Sequence, residues 1–346
     1  MKKSYLPLAA TACLLLASCS QDELVQAPGQ PAIGFDSFVG KTTRATDATN
    51  TNLLRMSVYG YIGDATPAKI FNGTMVSRAT QAAEWTYKPL QYWTAGKKYF
   101  FTALSSPSNE GNNHFSYTWA DNLPTATEDF YGTGTITFDN SQAKGNEDVV
   151  YASATKVTDD PLTTSPGKVE FLFKHALSRV IFTFNNKMGS DAYTIKVYGL
   201  TINNATSTAD LVLGTQNPTW SNHANTTVLT LRDELYNPQT QTAANNASVA
   251  SGTKFIIPGE LTFNITFKVD LILNGTTLLA TYNHVAQALP KTVFQNGHSY
   301  NFVADLTPDN IDPENDMFPI EFNVTDVEEW IPEADIPVVT PETPEP

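Results

Sequence analysis

Cysteine is nearly missing from this chain: Cys13 and Cys19 are the only two in 346 residues. Histidine is almost as scarce. His114, His175, His223, His284 and His298 are spread so widely that no two lie within five residues of each other. Zinc-type ligand spacing is therefore absent. Gly-x-Ser-x-Gly and HExxH are missing too, as are the P-loop and the dinucleotide glycine pattern. The usual signatures of hydrolase, metalloprotease and nucleotide chemistry are thus excluded. Charge is sparse, at 16% of residues, and Lys+Arg (21) are outnumbered by Asp+Glu (35). A basic nucleic-acid footprint is excluded on that balance. No amphipathic pattern longer than about two helical turns stands out. What is abundant is Phe (19), Tyr (14), Thr, Val and Ile, the residues that favour strands.

The first residues, "MKKSYLPLAATACLLLASCS", set two lysines before a short apolar run and small residues. That order describes a secretory signal over residues 1–18. Leu16-Ala17-Ser18-Cys19 resembles the lipobox of bacterial lipoproteins, in which the cysteine is acylated (palmitate) and becomes residue one. An ordinary signal peptide cut nearby is the alternative. Either cut removes Cys13 with the signal, so no disulfide is available to the exported chain. Lipid on Cys19 would hold the chain to the outer membrane at about 0.8 kcal/mol per buried methylene. No other stretch approaches the roughly 20 apolar residues of a membrane helix. "SQDEL" after Cys19 resembles the surface-export signal of Bacteroidales lipoproteins or serves as plain solvated tether, and residues 19–31 read as tether throughout.

Residues 32–50, "AIGFDSFVGKTTRATDATN", open the folded part. Ile33, Phe35 and Val39 share one face of a strand with Ser37, while Phe38 breaks the alternation. Residues 40–51 are a Thr-rich linker carrying one arginine, Arg44. From Leu53 strand signals recur, as in "LLRMSVYGYI", "EWTYKPLQYW", "KKYFFTALSS", "GTITF" and "DVVYASATKV". "KVEFLFKHALSRVIFTFNN" holds Val169, Phe171 and Phe173 on one face and Val180, Phe182 and Phe184 on another, with a corner or bulge at 175–178. "YTIKVYGLTI", "ADLVLG", "TTVLTL", "TKFIIPG" and "FNITFKVDLIL" follow, and "LRDEL" at 231–235 suggests one helical turn. Many short strands between Gly, Asn and Pro turns predict an all-β fold of two tandem β-sandwich domains, at 32–168 and 169–330. "YWTAGKKYFFTAL" (92–104) and "FQNGHSYNFVADL" (294–306) echo each other and support related domains. Phe318, Ile320, Phe322 and Val324 alternate near the end and either complete the second domain or form a strand given to another molecule. Residues 331–346 are Pro-rich and acidic and cannot order themselves by burial.

Little else suggests chemistry. Asp312, Glu314 and Asp316 alternate as in calcium loops, but Met317 and Asn323 stand where an EF-hand needs Gly and Glu, so a solvated acidic turn is the better reading. Trp85, Trp93 and Trp119 suit a core more than a sugar platform. His175, between apolar strands, reads as structural. No enzyme, metal or cofactor is expected.

These features together resemble the fimbrillin-like family of Bacteroidales, the subunits of type V pili. The lipobox at Cys19, Thr-Thr-Arg44-Ala45 after a first strand, "YWTAGKKYFFTALSSP", "EDVVYASAT", "FLFKHALSRVIFTF", "GHSYNFVADL" and "VEEW" carry the likeness in that order. The resemblance implies transthyretin-like sandwiches and a surface lipoprotein cut by a trypsin-like protease between Arg44 and Ala45. It implies release of the strand bearing Ile33, Phe35 and Val39, and filling of its groove by a strand of another pilus subunit. Lys41 is a competing basic site, and a solvated linker residue is the other reading of Arg44. A non-polymerising surface adhesin for host glycan or protein is the alternative function.

Overall fold

The computed structural model of the chain describes residues 30–39, 48, 52–63, 68–106, 115–120, 130–140, 147–163, 165–231, 241–312, 314 and 320–329. Among them every regular element is a strand. The first eight are β1 (Phe35–Val39), β2 (Arg55–Ile62), β3 (Ala68–Ser77), β4 (Lys98–Ser105), β5 (Phe115–Thr118), β6 (Thr135–Asp139), β7 (Val150–Val157) and β8 (Val169–His175). Next come β9 (Ser178–Asn186), β10 (Tyr193–Val212), β11 (Trp220–Thr230), β12 (Gln241–Ala243), β13 (Ser248–Ala250) and β14 (Lys254–Ile256). The chain then forms β15 (Gly259–Leu261), β16 (Asn264–Leu273), β17 (Thr277–Ala288), β18 (Thr292–Phe294), β19 (His298–Leu306) and β20 (Phe322–Glu329).

One sheet has the order β1-β8-β7-β4-β2-β3. A second runs β17-β16-β10-β6-β5, with β11 and β12 also on β10. A third runs β13-β9-β19-β20, with β14 also on β9. Period-two burial gives each sheet its inner face. β8 alternates strictly, with Val169, Phe171 and Phe173 buried and Glu170, Leu172 and Lys174 outward. Phe263, Ile265, Phe267, Val269 and Leu271 all lie in the core of the second half.

Three points correct the sequence reading. The division at residue 168 falls too early. β8 lies between β1 and β7, and Val169, Phe171 and Phe173 sit in the first core, so the first sheet runs to His175. Sheet membership is set by distant partners and leaves no local mark. "EWTYKPLQYW" is no strand. It makes isolated bridges, Ser77 with Thr86 and Ala32 with Tyr92. "YTIKVYGLTI" and "ADLVLG" belong to the single strand β10, whose alternation is broken where the register shifts between Tyr198 and Thr201, beside Gly199 at φ +65°. The turn expected at 231–235 lies outside the described residues from 232 onward.

The two-part echo has a physical basis. In the first half, the ring of Trp93 meets Tyr99 edge-on at 4.7 Å and the Thr94 N–H donates to the Tyr99 hydroxyl at 2.6 Å. In the second, Phe294 meets Tyr300 edge-on at 4.8 Å and the Gln295 N–H donates to the Tyr300 hydroxyl at 2.9 Å. Between each pair a glycine turns the chain in the left-handed region, Gly96 at φ +62° and Gly297 at φ +71°.

Candidate functional site

The candidate site is the edge of the first sheet. Among the described residues β1 pairs with β8 alone, in parallel, with Phe35 opposite Val169 and Val39 opposite Phe173. Just before it, the Ile33 N–H donates to the Gln91 carbonyl at 2.8 Å, and the Val169 N–H donates to the Gly34 carbonyl at 2.8 Å. Ile33, Phe35 and Val39 are buried, and Ser37 shares their face. Phe38 points outward and is 44% exposed, which explains why it broke the pattern.

Phe35 is the anchor. Its ring lies 5.5 Å from Phe71, 5.5 Å from Tyr87, 6.1 Å from Phe101 and stacked 5.8 Å from Phe171. Each of Ile33, Phe35 and Val39 contributes about 1.5–3 kcal/mol by leaving water. Tyr87 adds a polar hold, because its O–H donates to the Ile33 carbonyl at 2.8 Å. Burial pushes the Tyr87 phenol up to about 12. Ser37 Oγ is buried without a hydrogen-bond partner. The ion pair of Asp36 with Lys168 at 3.6 Å is near half exposed on both sides and worth little, and the Asp36 charge also acts on Arg78. β1 is thus held by main-chain bonds and apolar side chains, contacts that another strand of similar pattern could reproduce.

The described chain resumes at Ala48. Its N–H donates to Asp148 Oδ2 at 2.9 Å, and the same oxygen lies 2.5 Å from His175 Nδ1. Cys19, Arg44 and Ala45 lie outside the described residues, and so does Phe318. Ile320 and Phe322 are buried in the second core, where Phe322 meets Phe182, Phe184 and Phe267 edge-on. Val324 is in β20 opposite Phe302. The structure therefore groups Ile33, Phe35 and Val39 in one core and Ile320 and Phe322 in another. Sequence reasoning missed Tyr87, Arg78, Asp148 and Lys168. Their partners are far along the chain; Tyr87, Asp148 and Lys168 lay in the marked segments "EWTYKPLQYW", "EDVVYASAT" and "KVEFLFKHALSRVIFTFNN", and Arg78 lay in none.

The other candidates are accounted for. Trp85 and Trp93 are buried in the first core. Trp119 is half-buried beside Tyr59 and Tyr61, with Lys69 Nζ 5.0 Å from its ring centre. Among the described residues no three His, Cys, Asp or Glu side chains gather to hold a metal. Asp316 and His114 lie outside them.

No curated protein matches the sequence. A fimbrial protein from Bacteroides vulgatus, known from a crystal structure, is similar in fold at 18% identity, with a TM-score of 0.58 over 87% of this chain and 99% of that one. A candidate cell adhesion protein from Bacteroides uniformis (15% identity, TM-score 0.47, 87% and 99% covered) and the fimbrial anchor protein Mfa2 from Porphyromonas gingivalis (12%, 0.33, 84% and 95%) are more distant. The model of the fimbrillin-like family matches residues 43–326, from the linker behind β1 into β20, and the chain belongs to that family.

Proposed function

We propose that the chain is a structural or accessory subunit of a cell-surface pilus. It is exported as a lipoprotein on Cys19, cut after Arg44, and joined to its neighbours by strand exchange at the β1 groove. Family membership makes it a structural protein rather than an enzyme. The observation that carries the finer reading is β1 itself: the first described strand, at the edge of its sheet, fills the centre of an aromatic core, yet among the described residues polar contacts specific to it are few. Its loss opens an apolar groove along β8 that a strand of another subunit fills. A head-to-tail contact of that kind does not close on itself and makes a filament. In the form described here Ile320 and Phe322 complete the second core, so a subunit that donates β20 must open its own second core to do so.

The test is to treat the purified lipoprotein with a trypsin-like protease and follow both the new N-terminus and the oligomers. A chain beginning at Ala45 and SDS-resistant ladders are expected, and Arg44→Ala should abolish both. An intact Cys19 terminus with no ladder, in material shed from cells, would sink the reading and leave the non-polymerising adhesin.

A further inference from the structure

Two signature segments, "EDVVYASAT" and "FLFKHALSR", meet at one buried point. Asp148 is fully buried and His175 is 3% exposed. Asp148 lies just before β7, and His175, the last residue of β8, stands opposite Val150. Oδ2 of Asp148 accepts the N–H of Ala48, itself fully buried, and His175 Nδ1 is the second donor to the same oxygen. A carboxylate taken out of water needs such donors, and removing one leaves it exposed to the full cost of burial. The Ala48 peptide is thus part of what makes the buried pair tolerable. Five residues on, the chain is gripped again. Arg78 donates from Nε at 3.1 Å and from Nη2 at 2.9 Å to the Leu53 carbonyl, while its guanidinium lies 4.5 Å over Trp85.

The contrast with β1 is one of degree. Apart from the Tyr87 bond to the Ile33 carbonyl, β1 is held mainly by main-chain pairing and apolar burial, which a strand of matching pattern supplies. Ala48 and Leu53 are held by side chains placed for those two peptide groups. Arg44 lies between the two regimes, five residues after Val39 and four before Ala48. We infer that the Asp148–His175 pair is a retention latch. It keeps the chain from Ala48 onward docked on the first domain when β1 leaves, so that release ends at the linker and does not run on into Leu53, Met56 and β2. Leu53 and Met56 are fully buried, and fraying past them would open the same core a second time. The latch rests on the proposed release of β1, but it can be tested without Arg44 being the natural cut.

Residues 41–46 are replaced by the recognition sequence of a site-specific protease, the full chain is cut there, and deuterium exchange is read over residues 47–53. The cut wild type should exchange at least about tenfold more slowly there than cut Asp148→Asn, in line with loss of a charge-assisted bond. Ala48→Pro removes the donated N–H and keeps the Asp148 and His175 side chains, while also fixing φ and placing a larger ring at a buried position. It should expose the remaining amides of the segment equally and decides the matter if Asp148→Asn does not fold. Exchange in the cut wild type at the rate of a free peptide would overturn the latch, as would unchanged protection in either folded variant. Failure of ladders with Arg44 intact would instead count against the pilus reading and leave this result standing.

Discussion

Phe35 closes the first core from a position that the proposed cut would remove. Truncating a ring surrounded by Phe71, Tyr87, Phe101 and Phe171 should cost about 3–5 kcal/mol. Phe35→Ala should therefore lower the denaturant midpoint of the uncut chain sharply. It should leave a chain cut at the proposed site, and so beginning at Ala45, unchanged. Equal destabilisation of both forms would show that residue 35 never leaves. Tyr87 offers a second residue-scale test. Its phenol is pushed from 10 to about 12 by burial, so the folded state keeps a proton that the unfolded state gives up. That contribution is whole below pH 10 and is lost as pH climbs from 10 to about 12. Burial raises Tyr151 to about 12 as well, so the loss is shared. Tyr87→Phe should flatten part of the alkaline fall in melting temperature and cost about 1 kcal/mol at neutral pH through the missing bond to Ile33. An alkaline limb identical to wild type would refute the assignment.

At the scale of elements, legibility followed burial pattern. β8 and β16 could be read because one face is apolar at every second residue and the other is polar apart from Leu172 and Ile272. β1 could be read through Ile33, Phe35, Ser37 and Val39 despite Phe38. β17 left no such trace. Leu278, Leu279 and Val285 are exposed on it, so apolar residues there do not mark an inner face. β11 was seen only in its last residues because most of it is exposed and polar. The groove was legible as a pattern, but its aromatic floor was not, since Phe71, Phe101 and Phe171 come from three strands. The contact of Ala48 with Asp148 spans 100 residues and is invisible to any local reading. Parallel pairing of β1 with β8 was likewise not available, because the alternation of a strand does not encode its direction.

Across the whole molecule, β10 is the shared element. Its early residues, Ile195 to Val197, pair with β12 and β16, and its later ones, Thr208 to Val212, pair with β6 from the first half. A separate core gathers Leu104, Ile136 and Tyr151 with Leu211, Trp220 and Phe255, so both halves contribute to it. The halves should then unfold together. Leu211→Ala, at a fully buried position, should cost about 2–5 kcal/mol and lower one common calorimetric transition. Two independent transitions, only one of them moved, would contradict this coupling. The direction of β1 has a mechanical side. Parallel neighbours begin at the same end, so a tether pulling back on the start of β1, against a load drawing β8 forward into β9, slides the two strands along each other. Every bond between them resists at once, as in a lap joint. An antiparallel pair gripped at those same chain ends would instead peel open one bond at a time. A surface protein held by its N-terminus would in this way withstand drag until a protease, and not force, lets it go.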